Sequence, residues 1–494
     1  MDRINICIVG LGPWGLCVLE RILSRVRCQP APRTPVVVHI IEPGDPGVGV
    51  HTRDLPDYNL LNTKCSHVSM FIEDHFPDTP APESGPNLLE WAHAQGYRLK
   101  EDGYTLTRNS GRDISPEDFL PRRLMGEYLS WFYQRLLKNA PSGVRCTRYP
   151  QQAVNVECDA SGGEIVVLDN GERIQADHVF LTTGHTRNNQ SARAGAGHEP
   201  MGYPVDKHLT RAKAGTKLGV VGFGLVAMDV LAALTLGRGG QYRVDPDTGR
   251  RFYVPSGNEP RIYMFSRSGL PYCPRPAISK TPSMSYTPVL FTPLRIDEIR
   301  ASKISTGVDG RIDFTSEVAP LLWDELILAY YAWCTRLAHG ESAGETATLA
   351  LKEAWERGAF VQRVDAFAQE HGKFDPRDDV LKEWPKVMES SAEYQRQVCA
   401  HIEDDLREAE KGEIQSARKA SLELLRVLRN TIRYTVDFGG LTTDSQIAFT
   451  TRFASQINRM IVGPPKERSE EMLALVEAGI LQFPFGPEIG RAHV

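Results

Sequence analysis

No two of the nine cysteines (Cys7, Cys17, Cys28, Cys65, Cys146, Cys158, Cys273, Cys334 and Cys399) stand three residues apart. That excludes a redox dithiol of the Cys-x-x-Cys kind and a zinc-ribbon knuckle. Their odd number and scatter also exclude a disulfide scaffold and suit a reducing compartment. No Gly-x-Ser-x-Gly elbow appears, so nucleophilic serine chemistry has no motif to rest on. An excess of one charge is lacking too: 57 basic against 62 acidic residues leave −5, which argues against a nucleic-acid or anionic-membrane partner. Neither apolar stretch that invites a leader or membrane reading is uninterrupted. The N-terminal run is broken by Gly10, Gly12, Pro13 and Gly15, and the stretch from Leu218 to Leu236 contains three glycines and Asp229. The 42 glycines and 33 prolines follow no period, so collagen is out. A 41% hydrophobic content excludes wholesale disorder. The expectation is a soluble, cytoplasmic chain whose 494 residues make about three domains.

Ile4–Val9 is a short apolar run of the kind that forms a parallel strand covered on both faces. Gly10-Leu11-Gly12-Pro13-Trp14-Gly15 follows, then helical spacing from Leu16 to Val26, then a second buried strand, Val36–Ile41, that ends at Glu42. The pattern reads strand, glycine turn, helix, strand, acid. Tyr104–Glu127 reads as loop-rich, with an amphipathic helix over Tyr128–Leu137. Ile165–Leu168 and His178–Thr182 read as strands around an Asp169-Asn170-Gly171 turn. A near-repeat of the opening unit begins at Leu218: strand to Val221, glycine turn Gly222 to Ala227, helix Met228–Leu236, and, after a hairpin at Asp245–Gly249, a strand Ile262–Phe265. From Pro320 to Asn430 the pattern turns to long charged amphipathic helices. The expected fold class is α/β, with two Rossmann-like dinucleotide-binding domains and a helical C-terminal region. The expected boundaries are 1–210 for an FAD domain, 211–300 for an NAD(P)H domain, and 301–487 for a helical region that partly returns to the FAD domain.

In the first unit Gly10 permits the tight turn, Gly12 lets the backbone approach a pyrophosphate, and Gly15 lets the helix pack closely on the sheet. The N-terminus of the helix, led by Pro13 and Trp14, offers N–H groups and a partial positive charge to phosphates. Glu42 can accept ribose hydroxyls and repel a 2′-phosphate, which suits FAD or NAD. In the second unit Gly222, Gly224 and Ala227 keep the turn, but Ser266-Arg267-Ser268 stands where an acid would. A guanidinium pairs with a 2′-phosphate, so NADPH is expected there. An acid-terminated site and an arginine-terminated site in one chain fit a flavin enzyme reduced by a nicotinamide. Thr183-Gly184, after the strand from His178, stands where such flavoproteins return the chain beneath the FAD. Cys65, His67 and His75 match no regular metal spacing, so no metal is expected. His51, His67 and Lys64 are loop candidates for a base, with structural or surface roles as their simpler reading.

On these motifs the chain resembles the FAD/NAD(P)-binding family that groups flavin-dependent urate hydroxylase with aspartate N-monooxygenase, and more distantly the lysine and ornithine N-hydroxylases. The resemblance spans nearly the whole chain. It also rests on Leu60-Leu61-Asn62-Thr63, Pro121-Arg122-Arg123 with Gly126-Glu127-Tyr128, Thr183-Gly184-His185, Ser256 to Pro260, Ser266 to Pro271, and Gly463-Pro464-Pro465. It implies that Asn62 and Met70 lie along the flavin and that Arg122 lies near the FAD pyrophosphate or the cleft. It further implies an FAD monooxygenase that draws on NADPH and O₂, forms a flavin C4a-hydroperoxide and hydroxylates a small polar substrate. An NADPH oxidase or dehydrogenase without oxygen insertion stays open, as does a catalytically silent nucleotide-binding regulator. Glu488–Val494 reads as translated sequencing adapter, so a truncated chain with a foreign tail is expected.

Overall fold

The computed structural model describes residues 3–30, 34–72, 83–159, 162–184, 205–276, 286–384, 388–484 and 486. His75, His185 and the tail Glu488–Val494 lie outside these residues. The chain divides into two units, Met1–Arg211 and Ala212–Val494.

In the first unit β1 (Ile4–Val9) leads through α1 (Pro13–Cys28) to β2 (Val36–Ile41). Alternate side chains of β1 point to opposite faces of the sheet. Ile8 joins Leu16, Leu19, Leu23 and Val38 in one core, while Cys7 and Val9 join Ile41, Val166 and Ile174 in another. Both faces are therefore covered, and this is why β1 and β2 are apolar at all but Asn5 and His39 rather than alternating. After α2 (Leu88–Ala94) and the hairpin of β3 (Tyr97–Leu99) and β4 (Leu106–Arg108), α3 (Arg122–Lys138) packs Leu124, Tyr128, Leu129 and Phe132 onto the first core. This helix starts two turns before the expected Tyr128, because the buried 3–4 spacing begins at Leu124, inside the stretch expected to be loop. Next come β5 (Val144–Tyr149), β6 (Ala153–Cys158), β7 (Glu164–Leu168), β8 (Arg173–Ala176), β9 (His178–Leu181) and the short α4 (Val205–His208). The main sheet is parallel, in the order β5-β2-β1-β9. The Asn170-Gly171 turn joins β7 to β8, not to the strand at His178 as expected. β9 pairs in parallel with β1, and β8 takes the hairpin position because Ile174 and Ala176 complete the second core.

The second unit opens with β10 (Lys217–Val221), α5 (Leu225–Thr235), the antiparallel hairpin β11 (Gln241–Val244) and β12 (Arg251–Val254), and β13 (Arg261–Phe265). β10 and β13 pair in parallel, and β14 (Leu481–Gln482) adds to β13. Between β13 and β14 lie α6 (Pro293–Ser305), α7 (Ala319–His339), α8 (Glu341–Glu356), α9 (Phe360–His371), α10 (Pro376–Val380), α11 (Ser391–Gln415), α12 (Ala417–Val436), α13 (Thr443–Ala448), α14 (Ala454–Ile461) and α15 (Lys466–Glu477). α7, α12 and α14 share one core, built on Leu322, Leu326, Leu425, Leu428 and Met460. No helix among the described residues is long and apolar enough to cross a membrane.

Candidate dinucleotide sites

At the end of β1 the chain turns on Gly10, whose φ of +89° suits glycine. A Cβ there would stand 2.6 Å from the Thr182 carbonyl oxygen. The Gly10 carbonyl accepts the Thr182 hydroxyl at 2.5 Å, and a side chain on Gly15 would run into that same carbonyl. Gly12 is different. It caps α1 with no side-chain hydrogen bond, and a Cβ on it would meet only the Gly49 backbone, at 3.6 Å. The first turn of α1 is thus open at a helix N-terminus, which is the geometry that takes a diphosphate. Pro13 begins the helix against Gly49, and the neighbouring Trp14 is 76% exposed.

Glu42 faces this turn. Its Oε2 accepts the Leu11 N–H at 2.7 Å and its Oε1 the Gly44 N–H at 2.9 Å. The 47–51 loop links the turn to α3: Gly49 abuts Gly12, and Gly126 of α3 leaves no room for a side chain beside the His51 carbonyl. The backbone bridge between Leu60 and Pro121 brings the Asn62 and Arg122 segments side by side, and the Arg122 N–H donates to the Asn59 carbonyl at 2.7 Å. Asn62 and Arg122 are half-buried, whereas Thr183 and Gly184, just past β9, are exposed. The Met70 N–H donates to the Tyr128 hydroxyl, which itself donates to the Pro86 carbonyl at 2.7 Å.

The second unit repeats the turn. Gly222 has φ +112°, and its N–H donates to the Phe265 carbonyl at 2.8 Å. Gly224 caps α5, again with no side-chain hydrogen bond, and Ala227 is buried. Past β13 the Ser266 Oγ accepts the Gly269 N–H at 3.0 Å and lies 3.3 Å from the Ser268 Oγ. Arg267 is exposed and has no partner among the described residues.

Residues 7–186 match the FAD-NAD(P)-binding family. The L-aspartate N-monooxygenase (nitrosuccinate-forming) of Streptomyces davaonensis is 33% identical over an alignment 511 positions long, covering 98% of this chain and 77% of the relative. The protein of that name from Streptomyces cremeus is also 33% identical, covering 97% of this chain and 74% of the relative. The nitrosuccinic acid synthase of Aspergillus oryzae is 29% identical, covering 98% and 73%. The chain belongs to the FAD/NAD(P)-binding N-monooxygenase family.

In this N-monooxygenase family member the first-unit residues fit an FAD. Gly12 leaves a gap that a Cβ would enter, the α1 N-terminus is uncapped, and each Glu42 oxygen keeps a second lone pair for ribose hydroxyls after its backbone bond. The three candidate bases stand in different surroundings. Burial and the Arg122 cation push His51 down to about 4, so its ring is neutral. Lys64 is buried and paired with Glu117 at 2.7 Å. His67 is exposed, in the short turn Cys65–His67, where burial lifts the Cys65 thiol to about 12. No group of three or more potential metal ligands occurs among the described residues.

Two of the family motifs are structural. Glu259 of the Ser256–Pro260 segment accepts the Tyr253 hydroxyl and the Ser256 and Gly257 N–H groups at 2.7–2.9 Å. Burial opposes its charge, but these bonds outweigh burial and hold the carboxyl below its usual range. Gly463 lies so close to the Cys273 carbonyl that no side chain fits. Sequence reasoning missed Thr182 and Gly49, which close the first turn. The Gly47-Val48-Gly49 spacing was the available signal for Gly49, whereas nothing local marks Thr182.

Proposed function

We propose that this protein is an FAD-dependent, NADPH-reduced monooxygenase that oxygenates the amino nitrogen of a small acidic amino acid in the cytoplasm. The pairing of two unlike glycine turns in one chain supports this best. The first is tied to an acid, Glu42, and the second is followed by Arg267, exposed and unpartnered among the described residues. The substrate class follows from relatives named for L-aspartate. FAD, when bound, supplies the redox and oxygen-activating chemistry.

The chain's own part is binding and orientation. Gly12 and the first turn of α1 receive the FAD diphosphate, Glu42 orients the adenosine ribose, and Asn62 and Arg122 border the flavin side. Thr183 and Gly184 pass beneath it. Gly222, Gly224 and Ala227 admit the NADPH diphosphate to the N-terminus of α5, with Ser266 and Arg267 on the 2′-phosphate. In the overall reaction NADPH contributes two electrons, one oxygen atom of O₂ goes to the substrate nitrogen and the other leaves as water.

Flavin absorbance before and after anaerobic NADPH, followed by aerobic turnover with L-aspartate, tests the proposal. The expected result is a bound flavin bleached by NADPH in preference to NADH, with NADPH use matched by N-oxygenated product. Protein that holds no flavin even after FAD is added, or NADPH use that yields only peroxide with every acidic amino acid, would overturn it.

A further inference from the structure

We propose that the Tyr272 hydroxyl is a ligand for the diphosphate of the dinucleotide at the second glycine turn. The inference rests on the NADPH reading above and adds a residue that neither the motif nor its spacing identifies. The Cβ that Gly224 lacks would stand 3.7 Å from both the Cζ and the Oη of Tyr272. The tip of the phenol therefore borders the space this glycine leaves for an approaching diphosphate. Tyr272 is half-buried, and its hydroxyl has no partner among the described residues. Across from it, α5 begins at Gly224 with no side chain capping its first-turn N–H groups. The phenol hydroxyl and first-turn amides that no side chain caps thus border the same gap, and a phosphate oxygen can accept from both.

The surrounding backbone holds Tyr272 in this place from both sides. The Gly269 carbonyl accepts the Trp384 indole N–H and the Tyr394 hydroxyl, each at 2.9 Å. On the other side the Cys273 N–H donates to the Arg459 carbonyl at 3.0 Å, and the Arg275 N–H to the Pro464 carbonyl at 3.0 Å. Gly463, with no side chain, lies directly against the Cys273 carbonyl. All of these anchors come from the helical part of the second unit. The backbone that carries the phenol is consequently fixed before any ligand arrives, so little ordering of this segment remains for binding to supply. A neutral hydroxyl on the diphosphate bridge does not sense the 2′ position; that discrimination belongs to Arg267.

Calorimetric titration of the full chain with NADP⁺, NAD⁺ and 2′-AMP tests the assignment, because 2′-AMP has the 2′-phosphate and no diphosphate. Tyr272→Phe is expected to weaken NADP⁺ and NAD⁺ alike, by about tenfold to a hundredfold, the loss for a hydrogen bond to a charged group, and to leave 2′-AMP unchanged. Arg267→Ala is expected to give the other pattern, weaker NADP⁺ and 2′-AMP with NAD⁺ unaffected. Unchanged NADP⁺ affinity in Tyr272→Phe overturns the role of the hydroxyl while the NADPH reading stands. A matching loss for 2′-AMP overturns it as well, since that marks a general distortion of the site. A wild-type chain that binds no NADP⁺ overturns the NADPH reading itself.

Discussion

The Leu11 amide donates to Glu42 Oε2 at 2.7 Å, joining the middle of the first glycine turn to the acid that ends β2. The same carboxylate takes the Gly44 N–H, and Arg148 steadies the following loop by donating to the Gly44 carbonyl at 2.7 Å. Glu42 therefore holds the cradle as well as offering itself to a ribose. Glu42→Ala removes both backbone bonds, each worth about 1.5–3 kcal/mol because the acceptor is charged. Flavin content after desalting is expected to fall steeply in this variant and only partly in Glu42→Gln, which keeps one acceptor oxygen. A full complement of flavin in Glu42→Ala would remove the acid from the site.

Gly12 and Gly15 separate ligand space from packing space. A Cβ at Gly12 meets no atom nearer than 3.6 Å, so Gly12→Val is expected to fold and to retain no FAD. At Gly15 even a methyl group enters the Gly10 carbonyl, so Gly15→Ala is expected to destabilise the first unit by about 1–3 kcal/mol. Thermal midpoints and flavin ratios of the two variants check the contrast.

Arg267 is exposed and unpartnered among the described residues, so its removal disturbs no internal pair. Arg267→Ala is expected to weaken NADPH by about 1.5–3 kcal/mol, the worth of a charge-assisted bond, with NADH little changed. The ratio of KM values for the two nucleotides is the measurement. An equal loss for both would place the arginine elsewhere in the chemistry.

Glu325 is fully buried on α7 and accepts the N–H groups of Val289, Leu290 and Phe291 and the Tyr286 hydroxyl. Its loss strands several buried donors at once. Glu325→Ala is expected to cost at least about 3 kcal/mol, read as a lower denaturation midpoint, with partial recovery in Glu325→Gln.

Two half-buried histidines set an acid limit. Burial and Arg122 push His51 down to about 4, and burial and Lys382 do the same to His401. An unfolded histidine titrates near 6.5, so between about pH 6.5 and 4 the unfolded chain takes up protons that the folded chain refuses. Stability should therefore fall as pH drops through that window, and His51→Gln and His401→Gln should each flatten the slope in denaturation series. A slope that survives both substitutions would assign the acid sensitivity to other groups.

Features whose cause lies within a few residues were legible in the sequence. The strands Ile4–Val9 and Val36–Ile41 announce themselves by apolar runs, the two glycine turns by spacing, and the Asp245–Gly249 hairpin by turn chemistry. Where a local signal had two readings, tertiary packing chose. The start of α3 at Arg122 and the pairing of β7 with β8 follow from which side chains complete a core.

The sequence by itself determined that two strand-turn-helix units exist, one followed by an acid and the other by an arginine, because hydrophobic period and glycine placement are local properties. Only the tertiary structure decided who closes each cradle: Thr182 on Gly10 across 172 residues, Glu42 on Leu11, and Tyr272 opposite Gly224. The physical reason is range. A side chain's conformational preference is felt along its own segment, whereas the partner of a hydroxyl or carboxylate is whatever donor or acceptor the fold carries to within about 3 Å.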